Sequence, residues 1–300
     1  MQHDFSSRCE NAFLGLALGD AYGRPLEFLS GAMAQAVPVR IDGTFMWTDD
    51  THMSLYVAEA CLEVDEDDED AFGDAFGRAF VRWLHDPLMP STAPGNTCLA
   101  GARAFERGRD WRTSGVSRSD GCGAVMRMGP VSMRFRGDTM DTAARVQALV
   151  THGHPNAEAS AVFGCRLLRR VLEGGALDVA DIRELMDEVD SDDLRAGLEA
   201  VLELADTEFD RLPEGDIPTY DGGWRSVSAL CLALLAVLRW PDDARTAMDR
   251  AARIDGDSDS VACIAGLFIG ATGAELPADW LAVLPRREEI RQLARELSAG

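Results

Sequence analysis

An all-α fold is predicted from three features of the 300-residue chain. Ala, Leu, Arg and Glu are abundant, apolar residues recur at helical spacing through most of the sequence, and β-branched runs are scarce. Strand-like text is almost confined to residues 37–47. With 46% hydrophobic residues the chain can close a substantial apolar core. Gly and Pro punctuate the helical text without any long linker or shift of composition, so a single domain over residues 1–300 is expected.

The first helix, 6–20, is small and apolar and runs into Gly23-Arg24-Pro25. The second, 51–62, opens after Thr48-Asp49-Asp50 with the pattern Met53, Leu55, Val57, Ala58. The acidic stretch 65–70 reads as a solvated loop that starts helix 69–84, because carboxylates favour the positive end of the helix dipole. Prolines between 87 and 94 break the chain before helix 95–107. Helices at 124–135 and 139–150 follow, and Pro155 introduces 156–172. Further helices are expected at 179–189, 192–205, 224–239 (after Gly222-Gly223), 242–254, 260–273 (after a second acidic segment) and 286–298.

Composition excludes several chemistries. Against 51 Asp and Glu stand 29 basic residues, a net charge of −22, which disfavours non-specific nucleic-acid binding. All the basic residues are Arg, so lysine Schiff bases and the Walker phosphate loop are ruled out. Seven cysteines without a CxxC pair suggest neither a disulfide framework nor a structural zinc site, and fit a reducing cytoplasm. The opening Met-Gln-His-Asp has no basic leader, and the longest apolar run, 227–238, is short of the roughly 20 residues a bilayer requires. A cytoplasmic protein without membrane attachment is expected.

Two acidic segments stand apart from the solvated charge runs: Thr48-Asp49-Asp50-Thr51 and Gly256-Asp257-Ser258-Asp259-Ser260. Each lies where a loop becomes an apolar helix. Capping explains one Asp or Ser per helix. Paired carboxylates facing an apolar interior repel one another unless a cation neutralises them, and hard divalent ions bind through such oxygens. Both readings stand at this level. An EF-hand does not, since its sixth position is Ser260 in place of glycine and its twelfth is Gly266 in place of glutamate. A two-metal hydrolytic site fed by both segments explains why acids from distant parts of the chain would converge.

Five motifs in order then carry a resemblance. Residues 15–28 (GLALGDAYGRPLEF), Thr48-Asp49-Asp50-Thr51, Gly121-Cys122-Gly123-Ala124-Val125-Met126-Arg127, Thr151-His152-Gly153-His154-Pro155 and Gly256-Asp257-Ser258-Asp259-Ser260 make the sequence similar to the ADP-ribosylglycohydrolases over nearly its whole length. The resemblance implies a compact, orthogonal all-α bundle. It also implies two divalent cations, Mg²⁺ or Mn²⁺, held by Thr48, Asp49, Asp50, Asp257, Asp259 and Ser260 in a cleft at helix N-termini. The implied reaction is hydrolysis of the glycosidic bond between ADP-ribose and an Arg, Ser or related acceptor, releasing ADP-ribose. Its substrate would be an ADP-ribosylated protein or small ADP-ribosyl compound, with nucleic acid entering only as a modified substrate and the enzyme acting as a monomer.

Asp257, Asp50 and Glu27 are the catalytic candidates. Substrate is assigned to Glu27, Gly95, Asn96, Ser119, Asp120, Gly121, Cys122, Gly123 and His152. Backbone amides of the glycine-rich 120–123 loop are expected near the diphosphate or distal ribose. Arg127 is expected to brace that loop, while Trp47, Trp111 and Trp224 are candidate stacking platforms with no spacing to select one. Asp120 would favour a cationic acceptor, and Cys122 stands where many members carry Asn. The rival function is a non-catalytic ADP-ribose-binding or structural relative.

Overall fold

The computed structural model describes residues 4–64 and 68–300, and among them it is helical without a sheet. Its α-helices are α1 (Phe5–Gly23), α2 (Gly31–Ala36), α3 (Asp49–Glu63), α4 (Glu69–Leu84), α5 (Asn96–Glu106), α6 (Trp111–Ser114), α7 (Gly129–Arg134) and α8 (Gly137–Leu149). They continue with α9 (Pro155–Gly174), α10 (Val179–Met186), α11 (Asp192–Leu204), α12 (Ser226–Arg239), α13 (Ala244–Ala252), α14 (Ser258–Ala271), α15 (Ala278–Val283) and α16 (Arg287–Ser298). Asp65, Glu66 and Asp67 of the acidic stretch lie outside the described residues; Asp68 caps α4 through the amides of Asp70 and Ala71.

Two sequence expectations are corrected. Residues 37–47 form no strand: the segment bends at Asp42, whose carboxylate accepts the Thr44 amide and hydroxyl, and no neighbouring strand completes its backbone bonds. The helix expected over 124–135 is broken. Pro130 cannot donate a bond back to Met126, so Cys122–Ala124 form a single 3₁₀ turn and regular helix begins only at Gly129, with proline in its first turn. Helices α2, α6 and α15 are too short to announce themselves by periodicity.

The centre of the fold is the α1–α14 pair: α14 is buried along its whole length, and α1 is buried from Ala12 to Gly23, a stretch of small and apolar residues apart from Asp20. Glycine lets their backbones touch. A Cβ on Gly15 would stand 2.1 Å from the Gly266 carbonyl oxygen, one on Gly19 1.9 Å from that of Ala262, and one on Gly23 2.4 Å from the Asp259 Cα. This stripe of glycines fixes the N-terminus of α14 against the C-terminus of α1, and no residue with a side chain could do so.

Candidate active site

The acidic segments converge on α1. Asp20, one turn before Gly23, is fully buried and accepts three hydrogen bonds: from the Thr48 amide at 2.8 Å, the Thr51 amide at 2.8 Å and the Thr51 hydroxyl at 2.5 Å. It thereby satisfies first-turn amides of α3 from outside the helix and locks that N-terminus beside α14. Sequence reasoning passed over Asp20. The available signal was a lone acid inside the otherwise small and apolar run 14–23.

Capping does not account for the other carboxylates. Thr48 makes only a long, 3.4 Å bond to the Asp50 amide, and its hydroxyl donates to Asp50 Oδ2 at 3.2 Å. Asp257 occupies the N-cap position of α14 without a capping bond from its side chain. Asp49 Oδ2 instead accepts the Gly95 amide at 3.1 Å, tying α3 to the loop before α5, and Asp50 Oδ1 is buried with no hydrogen-bond partner.

Glu27, Asp49, Asp50, Asp257, Asp259 and Ser260 line one cavity of about 190 Å³ together with Gly95, Asn96, Thr97, Gly121, Cys122, Gly123, His152 and Trp224. Carboxylate oxygens of Glu27, Asp257 and Asp259 lie within 4.8 Å of one another. None of the six acids from Asp20 to Asp259 is ion-paired with a described arginine within 4.0 Å. Burial, followed by the charge of Asp259, pushes Asp20 up to about 7 and Glu27 to about 8. Burial likewise raises Asp49 to about 8 and holds Asp50 and Asp257 well above the carboxylate range. An orphaned buried oxygen, an all-oxygen donor set and mutually repelling acids fit hard divalent cations. A larger crevice of about 280 Å³ beside α9 and α10 contains none of these six acids, and its Arg166 is already neutralised by Asp141 and Glu188.

His152 is held by a relay. Arg127, fully buried over the Phe80 ring, donates to Gln147 Oε1 and O and to Thr151 Oγ1. The Thr151 hydroxyl, which accepts from that guanidinium, has two acceptors in reach, His152 Nδ1 at 2.8 Å and the Ala148 carbonyl at 3.5 Å; with its hydrogen on the nearer, Nε2 carries the imidazole proton. That Nε2 faces the glycine-rich 120–123 loop, 3.1–3.2 Å from where a Cβ on Gly121 or Gly123 would stand. Burial, then Arg127, lowers the imidazole to about 3, so His152 is a neutral donor. Arg127 thus holds Gln147 and Thr151 and makes no direct hydrogen bond to the 120–123 loop, which it meets only through the Gln147 amide on the Ala124 carbonyl, while His154 caps α9.

Several assignments move. Asp120 does not line the cavity; it pairs with Arg225 and accepts from Asn156, which spends its charge inside the fold. Ser119 lies behind the lining, hydrogen-bonded to Thr97 Oγ1 at 3.0 Å. The Cys122 amide is bound to the Trp224 carbonyl at 2.9 Å and is closed to a diphosphate. The Cys122 thiol donates to Asp257 Oδ2 at 2.9 Å; burial and that carboxylate push it well above the usual thiol range, so it is no nucleophile. Among the tryptophans, Trp47 is buried with its indole nitrogen on the Pro285 carbonyl and Trp111 is bonded to Asp70, leaving Trp224, 39% exposed and stacked on Phe28 at the cleft rim.

The ADP-ribosylglycohydrolase family matches residues 1–300. The chain belongs to that family. It is 27% identical to the ADP-ribosyl-[dinitrogen reductase] glycohydrolase of Rhodospirillum rubrum, over 97% of this chain and 95% of that one. Identity is also 27% to the ADP-ribosylarginine hydrolase Tri1 of Serratia proteamaculans (strain 568), over 97% of this chain and 78% of that protein. A solved structure titled ADP-ribosylglycohydrolase-related protein complex superposes with a TM-score of 0.77 at 27% identity, covering 99% of this chain and 98% of that one. The chain is accordingly an ADP-ribosylglycohydrolase by family, and its all-α architecture is that of the solved relative. Among the described residues no helix is long and apolar enough to cross a membrane.

Proposed function

We propose that this ADP-ribosylglycohydrolase is a divalent-metal-dependent enzyme that cleaves the N-glycosidic bond between ADP-ribose and arginine. The observation that carries the reading is the convergence of Asp49, Asp50, Asp257 and Asp259 from two distant helix N-termini into one cavity with an unpartnered oxygen on Asp50. Two ions, Mg²⁺ or Mn²⁺, would be held by Thr48, Asp49, Asp50, Asp257, Asp259 and Ser260; when bound they supply positive charge that grips ribose hydroxyls and offsets the acids' repulsion.

The chain's own groups do the rest. Cleavage at the anomeric carbon develops oxocarbenium-like positive charge, which the ring of carboxylates stabilises. In this reading Asp257 and Asp50, which both line the cavity, orient water and take its proton, and Glu27 closes the acidic ring from the rim. The unbonded first-turn amides at the α5 N-terminus, where Gly95 provides no side-chain cap, favour the diphosphate, with the His152 Nε2 hydrogen as a second donor. Trp224 and Phe28 offer a flat face to the base. A cationic guanidinium leaving group suits the acidic cleft, and the arginine specificity named for the Serratia relative agrees.

The test is release of free ADP-ribose from arginine-linked and serine-linked ADP-ribose, with Mn²⁺, with Mg²⁺ and with EDTA. Metal-dependent release from arginine that Asp257→Ala abolishes, with the fold intact by circular dichroism, is expected. Turnover that persists in EDTA, or in Asp257→Ala, overturns the mechanism.

A further inference from the structure

Beside the cleft lies a surface whose charge opposes that of the molecule. Residues 103–118 carry Arg103, Arg107, Arg109, Arg112 and Arg118 against Glu106 and Asp110, a local charge of +3 in a chain of −22. Arg112 is engaged by Asp70 and Glu69. Arg103, Arg107, Arg109 and Arg118 are exposed, and none is ion-paired with a described carboxylate. Most other exposed arginines of this acidic protein are paired with a carboxylate, so a group without one stands out from the pattern; Arg109 donates only to the Thr113 carbonyl.

Helix α5 connects this group to the cavity. Asn96, Ala100, Arg103 and Arg107 recur at spacings of four, three and four, which places them on one face, and all four are exposed. Asn96 lines the cavity. At about 1.5 Å per residue the two arginines stand roughly 10 and 16 Å from Asn96 along the helix. Arg118 belongs to the same neighbourhood, because the adjacent Ser119 is bonded to Thr97 of α5, and Gly101 and Gly115 both pack on the Thr151 backbone.

We propose that this arginine stripe docks the protein part of the substrate: acidic residues near the modified side chain lie along Arg103 and Arg107 and the turn that carries Arg109, whose amide bonds back to the Ala104 carbonyl of α5, while the ADP-ribosyl group enters the cavity. The proposal rests on the hydrolase reading above and adds the class of target. An extended peptide advances about 3.3 Å per residue, so distances of roughly 10 to 16 Å correspond to acids about three to five positions from the modification. Nucleic acid fits less well, since a duplex with a phosphate charge every 1.7 Å or so would run past the short stripe onto the acidic remainder of the surface.

The experiment compares ADP-ribosylarginine with three ADP-ribosylarginine peptides carrying Glu, Gln or Arg at positions three to five. The full chain is used with Mn²⁺, in wild type, in Arg103→Glu/Arg107→Glu/Arg109→Glu and in the neutral triple Gln variant. Exposed pairs contribute a factor of about two to three each, so kcat/KM should favour the Glu peptide over the Gln peptide by about tenfold at low salt. The preference should collapse at 0.3 M salt, vanish in the Gln variant and invert in the Glu variant, with ADP-ribosylarginine turnover unchanged throughout. Equal preference in wild type and both variants overturns the docking, as does a stripe variant that loses affinity only for a 20-base-pair DNA duplex. Fluorescence anisotropy of the same peptides reads docking without turnover, so failure to hydrolyse ADP-ribosylarginine would refute the hydrolase reading and leave the stripe to be judged by the peptide affinities.

Discussion

Gly19→Ala isolates the dependence of the site on helix packing. The added Cβ would lie 1.9 Å from the Ala262 oxygen, 2.4 Å from its carbonyl carbon and 2.9 Å from the Cys263 nitrogen, all backbone atoms that no rotamer change can move. Restoring ordinary contact requires α1 and α14 to part by about 1.5 Å. Overpacking of this kind costs roughly 1–3 kcal/mol, and the rigid wall puts the change at the upper end; better helix propensity returns up to about 1 kcal/mol. For a 300-residue chain the net loss of about 2 kcal/mol corresponds to a melting temperature lower by roughly 3 °C. Asp259 lies on α14 one turn before Ala262, and Asp20 follows Gly19, so the same displacement opens the acidic cluster. A misplacement of about 1 Å is worth on the order of 100-fold in rate. Differential scanning fluorimetry with EDTA and with Mn²⁺, beside ADP-ribose release, reads both effects. Gly43→Ala, where a Cβ meets open space, is the control. Wild-type melting and a wild-type Mn²⁺ shift in Gly19→Ala would refute the coupling of packing to the site.

Two further predictions follow. Glu27 and Asp49 at about 8 and Asp20 at about 7 bind protons in the folded protein that the unfolded chain releases near pH 4, so without metal stability should fall as pH rises from about 4 to 8. Urea midpoints in EDTA should drop across that window, and saturating Mn²⁺ should flatten or reverse the trend; a midpoint in EDTA that rises toward pH 8 contradicts the buried acidic cluster. Arg127→Lys removes the fork that serves Gln147 and Thr151, so it should destabilise the protein by about 2–4 kcal/mol and weaken ADP-ribose binding through His152. Calorimetric unfolding and product titration check both, and binding at wild-type strength would remove His152 from the substrate's contacts.

The helical class, the two acidic helix starts and the order of the five motifs were legible in the sequence because each is local. Periodicity, Pro and Gly punctuation and paired acids ahead of apolar text need no knowledge of the chain's path. Even the broken 124–135 segment carried its explanation in Gly129-Pro130, whose missing donor outweighed the apolar pattern around it. The tertiary structure decided what those residues face. Asp120 and Asp257 are both acids in glycine-rich loops, yet Arg225 neutralises the first while the second points into the cavity beside Cys122. Asp20 became the support of α3 only because the glycine stripe of α1 admits α14 to backbone contact, and Arg127 became a brace only when Thr151 arrived beneath it. A sequence states which groups can bear charge or donate hydrogen; which of them are left unpaired in a shared cavity depends on partners from 24 to 135 residues away, and those are fixed by packing.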